Sequence, residues 1–369
     1  MLNKKTKILY ISGVRADYAE MAATLLALDK ICDLKLVVTG THLEKKFGYT
    51  ISDIIKDGLT VIEKIPFPYK TDKLEDLTKN LGHLLIKLGN IIKKHNFDYV
   101  LVEGDRIESL AIAIAAKISN LPVIHQGGGD LSGSIDDNIR NAITSFSDYH
   151  IAGNINSQKR LLARGISPKK VFMLGEPELD DIASKKFLPP NEICAKYKID
   201  KNKPLILALQ HPDTKEKISA RGQIKPLLQA LAKLNLPSIV IYPNNDPGGR
   251  QMIEEINKYR HLPFIKIFPN LPRADFLGLM NICNVMAGNS SGGLIETILF
   301  NIPSIIIASR QKGRAADANV INCGLNRNEI MKKIKNNLNK KGKFNVRYVY
   351  GRGNFTGKFI NFLKKICVK

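Results

Sequence analysis

Residues 122–144 read PVIHQGGGDLSGSIDDNIRNAIT, and their parsing decides the fold. Pro122–His125 is a short apolar run suited to a buried strand, and Ile135–Ser145 carries the apolar spacing of a helix. Between them stand three consecutive glycines and Asp130, with Asp136 and Asp137 at the helix start. Glycines let a backbone approach a ligand closely, and the carboxyl ends of strands are where open α/β sheets hold ligands. The stretch has the layout of an active-site loop, with Asp130, Asp136 and Asp137 as candidate proton-transfer groups.

The strand–loop–helix alternation continues in both directions, as expected for parallel sheets with crossover helices. Upstream and just downstream, strands are expected at Lys7–Ile11, Leu34–Thr39, Tyr99–Glu103, His150–Ala152 and Val171–Leu174, with helices at Ala16–Asp33, Leu77–His95 and Ile107–Ser119. A second series has strands at Leu205–Leu209, Ser238–Tyr242, Phe264–Ile267, Val285–Ala287 and Ser304–Ile307. Its helices fall near Lys225–Leu234, Gln251–Lys258, Arg273–Asn281 and Gly292–Phe300. The expected class is α/β, with two Rossmann-like doubly wound domains facing a cleft that would take the ligand. The boundaries are 1–184 for the first domain, 185–203 for a linker around Pro189 and Pro190, and 204–350 for the second. Residues 351–369 hold a helix, with apolar spacing at Lys358–Lys365, expected to cross back to the first domain.

A chain of 369 residues suits two domains. No apolar run reaches the roughly 20 residues of a membrane span, and Met1–Thr6 leads straight into a strand with no room for a signal peptide, so a cytoplasmic location is expected. The five cysteines are scattered and never spaced as Cys-x-x-Cys, which argues against a disulfide framework or a zinc site. The formal charge of +22 raises the question of nucleic acid. The lysines spread along helix faces and the tail, without interleaved aromatic platforms or RNA-binding motifs, so a solvated surface is the reading and no nucleic-acid partner is expected.

Each strand end carries a motif with a plain and a functional interpretation. Gly13-Val14-Arg15-Ala16-Asp17-Tyr18 is not Gly-x-Gly-x-x-Gly, but it puts Arg15 at a strand-to-helix turn where anions bind. His42, after Thr41, is either an ordinary loop residue or a ligand contact. Asp105, beside Arg106, is either the N-cap of the following helix or a carboxylate aimed at the ligand. In the second half His211 follows the opening strand, and Gly288-Asn289-Ser290-Ser291-Gly292-Gly293 offers hydroxyls and N–H groups to a diphosphate. Glu296, one turn on, is placed for ribose hydroxyls, while Ser290 also suits a plain helix cap. Arg310, Gln311, Lys312 and Arg314 fill a cationic loop that suits an anion or plain solvation.

Taken in order, Gly13–Tyr18, Thr41-His42, Gly104-Asp105-Arg106, Ile135-Asp136-Asp137, His211-Pro212, Asn289-Ser290-Ser291 and Arg310–Arg314 resemble the hydrolysing UDP-N-acetylglucosamine 2-epimerases, over roughly residues 7–325. The resemblance implies a GT-B type fold and a reaction with neither metal nor redox cofactor. The C2 proton is removed, UDP leaves, and water adds to the resulting glycal with inversion at C2. It assigns Asp105, Asp130, Asp136 and His211 to the catalytic group, with His211 against the diphosphate. Arg15, His42, Arg106, Asn244, Ser290, Ser291, Gly292, Glu296, Arg310, Gln311 and Arg314 form the substrate-binding set. The implied partner is a UDP-sugar, and the implied assembly a homodimer or homotetramer.

The chain departs from this pattern in the loop quoted first. The family usually reads His-x-Glu-Gly-Gly-Glu there, and the alignment puts Gly127 where its first catalytic glutamate is expected and Asp130 at the second acidic position. Asn141 stands where histidine is common, and Ala19 where some members have serine. Since glycine cannot move a proton, Asp130 is expected to carry that role if the reaction is kept. The alternatives are a GT-B glycosyltransferase and a nucleotide-sugar-binding pseudoenzyme.

Overall fold

The computed structural model describes residues 6–45, 48–67, 74–132, 136–213, 215–244 and 247–367. The chain divides into two compact units. The first comprises Met1–Asp130, Ile135–Asp180 and Gly353–Lys369, and the second Leu131–Ser134 and Asp181–Arg352.

The first unit is built on β1 (Lys7–Ser12), β2 (Asp33–Thr39), β3 (Val61–Ile65), β4 (Tyr99–Glu103), β5 (Val123–Gln126), β6 (Tyr149–Ala152) and β7 (Val171–Met173). Their order is β3-β2-β1-β4-β5-β6-β7 and every pairing is parallel. Alternate strand residues point to opposite faces, and both faces are buried. Ile8, Tyr10, Leu36 and Leu101 pack with Leu25, Phe355 and Phe359 on one side; Leu9, Ile11, Val100 and Val102 pack with Leu88, Ile112 and Ile143 on the other. The helix Phe355–Ile366 therefore closes the first unit's core from the far end of the chain.

The second unit repeats the plan with β8 (Ile206–Leu209), β9 (Ser238–Ile241), β10 (Ile265–Phe268), β11 (Val285–Gly288), β12 (Ser304–Ile307) and β13 (Val320–Cys323). The order is β10-β9-β8-β11-β12-β13, again all parallel. Each sheet reverses direction of strand addition once, between β1 and β4 and between β8 and β11. Such switch points are where doubly wound sheets leave a crevice.

Several elements were not expected from sequence. The edge strands β3 and β13 read VIEKI and VINC, and polar residues are tolerated there because an edge strand is paired on one side only. The 185–203 stretch, read as a linker, is built into the second unit. Its helix Pro190–Tyr197 buries Ile193, Cys194 and Tyr197 against Leu207, Leu279 and Met280. The helix expected from Lys225 starts at Ala220, capped by the Ser219 hydroxyl, and runs through Pro226. Ile135, expected to open its helix, lies outside the described residues. Among the described residues no helix is long and apolar enough to cross a membrane.

Candidate active site

The first switch point brings together the loops after β1 and β4. Asp17 is buried and accepts hydrogen bonds from the Gly13 and Val14 amides at 2.9 and 3.1 Å, closing the turn that carries Arg15. The Ser12 hydroxyl also donates to Asp17, so its oxygen accepts from His42 Nε2 at 2.9 Å. That leaves His42 Nδ1 to accept from the Thr50 hydroxyl at 2.8 Å. With both nitrogens engaged and no exposed surface, His42 braces the Gly13 turn. Arg15 remains partly exposed, 4.0 Å from Asp53.

After β4, Arg106 is the N-cap residue of Ile107–Ile118, so Asp105 is not the cap. The Asp105 carboxylate is instead paired with the guanidinium of Arg140, a buried residue of the helix Asp136–Phe146. Arg140 also binds Asp137 Oδ1 and the Asp130 carbonyl, both at 3.1 Å. One cation thus ties together the loop after β4, the glycine loop after β5 and the first turn of the next helix, where Asp136 also sits. His125 fixes the same corner. Gly104 O can only accept, so His125 Nε2 donates to it at 2.9 Å, and Nδ1 accepts from the Thr144 hydroxyl at 3.2 Å. Burial is the main reason that its pKa is pushed down to about 3, leaving the ring neutral.

The glycine run is sterically enforced. A Cβ on Gly129 would stand 2.4 Å from the Ser157 carbonyl oxygen, and its φ is +76°. At Gly127, with φ +83°, an ideal Cβ would meet no clash, lying in ordinary contact with Gly104 Cα at 3.6 Å and Glu103 Oε1 at 4.0 Å. Burial, and then the neighbouring carboxylates Glu20, Asp17, Asp105 and Glu178, raise the Glu103 pKa well above the ordinary carboxylate range.

The second switch point holds the other group. Asn289 pins the His211 backbone, accepting from its amide at 2.6 Å and donating to its carbonyl at 2.9 Å. His211 Nδ1 accepts the Asn244 amide at 3.0 Å, so its proton sits on Nε2. Burial and then Arg310 push the His211 pKa down to about 3, outweighing the opposing effect of Asn244. The ring is a neutral hydrogen-bond donor rather than a proton source at neutral pH. Gln311 donates to the Asn289 carbonyl at 2.7 Å and is itself buried, so it supports this turn. Ser290, Ser291 and Gly292 follow directly, and Glu296 is buried in an ion pair with Arg273. Arg310 and Arg314 are partly exposed on the loop after β12.

The structure thus gathers Asp105, Asp137 and the Asp130 carbonyl around Arg140, with Asp136 in the same first helical turn as Asp137, and His211, Asn244, Ser290 and Arg310 near one switch point. Asn141 follows Arg140 on the same helix, its amide oxygen held by Arg164. Sequence reading passed over Arg140, Asp17 and Glu103. The i,i+3 spacing of Asp137 and Arg140 was a usable signal for the first of these. A spectroscopic consequence follows from burial. His125 and His150, the latter pushed down to about 4 mainly by burial, should remain neutral between pH 5 and 8. Assigned histidine ring NMR over that range checks this; titration of the His125 or His150 ring near 6.5 would contradict it.

Known proteins match this arrangement along nearly the whole chain. The family model described as UDP-N-acetylglucosamine 2-epimerase matches residues 26–364. The UDP-N,N'-diacetylbacillosamine 2-epimerase (hydrolyzing) of Legionella pneumophila is 34% identical over 362 residues, covering 98% of this chain and 96% of that protein. The GDP/UDP-N,N'-diacetylbacillosamine 2-epimerase (hydrolyzing) of Campylobacter jejuni is 31% identical over 328 residues, covering 87% and 85%. The crystal structure of the Neisseria meningitidis UDP-GlcNAc 2-epimerase bound to UDP-GlcNAc superposes with a TM-score of 0.83 at 19% identity, covering 98% of this chain and 100% of that one, and so shares the fold. With two Rossmann-like units of the GT-B class, and a family model that matches residues 26–364, the chain belongs to the UDP-N-acetylglucosamine 2-epimerase family.

Proposed function

We propose that this protein is a hydrolysing 2-epimerase of a UDP-activated 2-acetamido sugar, with the 2,4-diacetamido sugar of the Legionella and Campylobacter relatives as its preferred substrate. The supporting observation is that the family match covers Asp105, Arg140 and His211, and that these two relatives are named hydrolysing 2-epimerases of UDP- or GDP/UDP-linked N,N'-diacetylbacillosamine. Groups of the first unit are assigned to the sugar and those of the second to the nucleotide.

The chemistry asks for what these residues offer. A carboxylate takes the C2 proton, the C–H electron pair becomes a C1=C2 double bond, and the C1–O bond breaks with UDP as leaving group. Water then returns a proton to C2 from the opposite face and hydroxide to C1. Diphosphate departure calls for donors and cations at the leaving oxygens. His211 Nε2–H, the Ser290 and Ser291 hydroxyls and Arg310 are assigned to that task, with Gln311 and Asn289 holding the turn. Asp105, kept in place by Arg140, is assigned to the hydration step, taking a proton from the water whose hydroxide adds at C1.

Incubation in deuterated water with UDP-N-acetylglucosamine and, separately, UDP-N,N'-diacetylbacillosamine is the test. The expected result is free 2-epimerised sugar carrying deuterium at C2, formed faster from the diacetamido substrate. Sugar released or transferred with an unlabelled C2 would favour the glycosyltransferase reading, and intact substrate the binding-protein reading.

A further inference from the structure

At the end of β4 stands a carboxyl that the preceding assignments leave unused. Glu103 is partly buried, and its side chain makes no hydrogen bond or ion pair among the described residues. Two residues on, Asp105 has the Arg140 cation against it. Glu103 is surrounded instead by the negative charges of Glu20, Asp17, Asp105 and Glu178. Two carboxyls at one strand end, one paired with a cation and the other crowded by anions, differ strongly in their hold on a proton. Such a division is how enzymes give two carboxyls of one site different proton-transfer tasks.

Position points the same way. Glu103 lies opposite Gln126 in the β4–β5 register, directly before the glycine loop. Its Oε1 is 4.0 Å from the point where a Cβ of residue 127 would begin. A carboxyl reaching from the neighbouring strand therefore borders the space that Gly127 leaves without a side chain. The positive φ of Gly127 also disfavours any L residue there, so the loop conformation itself favours supplying a carboxyl from elsewhere.

We propose that Glu103 is a catalytic residue, the base that takes the C2 proton of the sugar in place of the carboxylate that Gly127 does not provide. This rests on the epimerase reading. The C2–H electron pair goes to the new C1=C2 bond, UDP leaves with the C1–O pair, and the proton resides on Glu103 until solvent removes it. Hydration then delivers a water-derived proton to the opposite face of C2. The sequence-based expectation gave the carboxylate role to Asp130, and the two assignments separate experimentally.

The full chain and its Glu103→Gln, Glu103→Asp and Asp130→Asn variants are assayed with both UDP-sugars in deuterated water across pH 5 to 9, with UDP affinity measured in parallel. Glu103→Gln should lower kcat by roughly 100-fold, the scale of losing a positioned base, with UDP affinity unchanged within about twofold. The wild-type rate should fall as pH drops through a midpoint above the ordinary carboxylate range, because only the deprotonated form accepts a proton. That acidic limb should vanish from the residual activity of Glu103→Gln, whereas Glu103→Asp should keep a limb at a shifted midpoint with reduced kcat. Turnover of Glu103→Gln within about threefold of wild type overturns the proposal, as does persistence of the acidic limb in that variant. Loss of C2 exchange in Asp130→Asn alone overturns it in favour of Asp130. If Glu103→Gln does not bind UDP, Glu103→Asp decides, and a wild-type kcat and pH profile in that variant overturns the assignment. A wild-type protein that leaves C2 unlabelled on both sugars overturns the epimerase reading itself, a failure visible before any variant is compared.

Discussion

Asp105→Asn is expected to bind UDP as wild type does and to turn over sugar about 10³–10⁴-fold more slowly, at the upper end for removing acid–base catalysis. The amide keeps the shape of the side chain and still offers an oxygen to Arg140, but it cannot accept a proton at neutral pH. Because Arg106 occupies the N-cap position, a loss of helix capping does not explain a large kinetic effect at Asp105. Calorimetry with UDP beside single-turnover assays separates the two steps. A variant within threefold of wild-type turnover would remove Asp105 from proton transfer, and one that no longer bound UDP would point to a collapsed site instead.

Replacing Arg140 should do more to the fold than any other single change near the site. Its guanidinium is buried and serves Asp105, Asp137 and the Asp130 carbonyl at once. Arg140→Met keeps much of the packing volume while leaving two carboxylates side by side without their cation. Breaking a buried pair from one side costs about 3 kcal/mol, which for a unit of this size lowers Tm by roughly 6–12 °C. Thermal melts of Arg140→Met, Asp105→Asn and the double variant check the cause. Neutralising Asp105 removes part of the stranded charge, so the double variant should be less destabilised than the sum of the two. Strict additivity would mean that Arg140 and Asp105 do not interact.

The interiors of the sheets were legible from sequence because parallel strands buried on both faces read as continuous apolar runs, as Leu205–Leu209 and Ser304–Ile307 do. β3 escaped notice because an edge strand can carry Glu63 and Lys64 in mid-strand. The helix Pro190–Tyr197 escaped because Pro189 and Pro190 read as a break, although proline suits a first helical turn. At the site, residues on strand-end loops announced themselves through glycine and charge. Arg140, Asp17 and Glu103 did not, since their importance comes from long-range approach: Arg140 meets Asp105 across 35 positions of sequence. For His42 the sequence showed a suggestive loop position but not that Ser12 and Thr50 engage both ring nitrogens.

The helix Phe355–Ile366 has a consequence for how the protein is made. On a ribosome, the second unit's residues 181–352 emerge entirely before the segment that closes the first unit's core. Until Phe355, Phe359 and Phe362 arrive, one face of the first sheet lacks part of its cover, at about 1.5–3 kcal/mol for each large apolar side chain. The later-encoded unit is thus free to mature first, while the earlier one waits half-dressed, a natural client for chaperones. A nascent chain stalled just short of Gly353 should accordingly yield a protease-resistant second unit and a protease-sensitive first one.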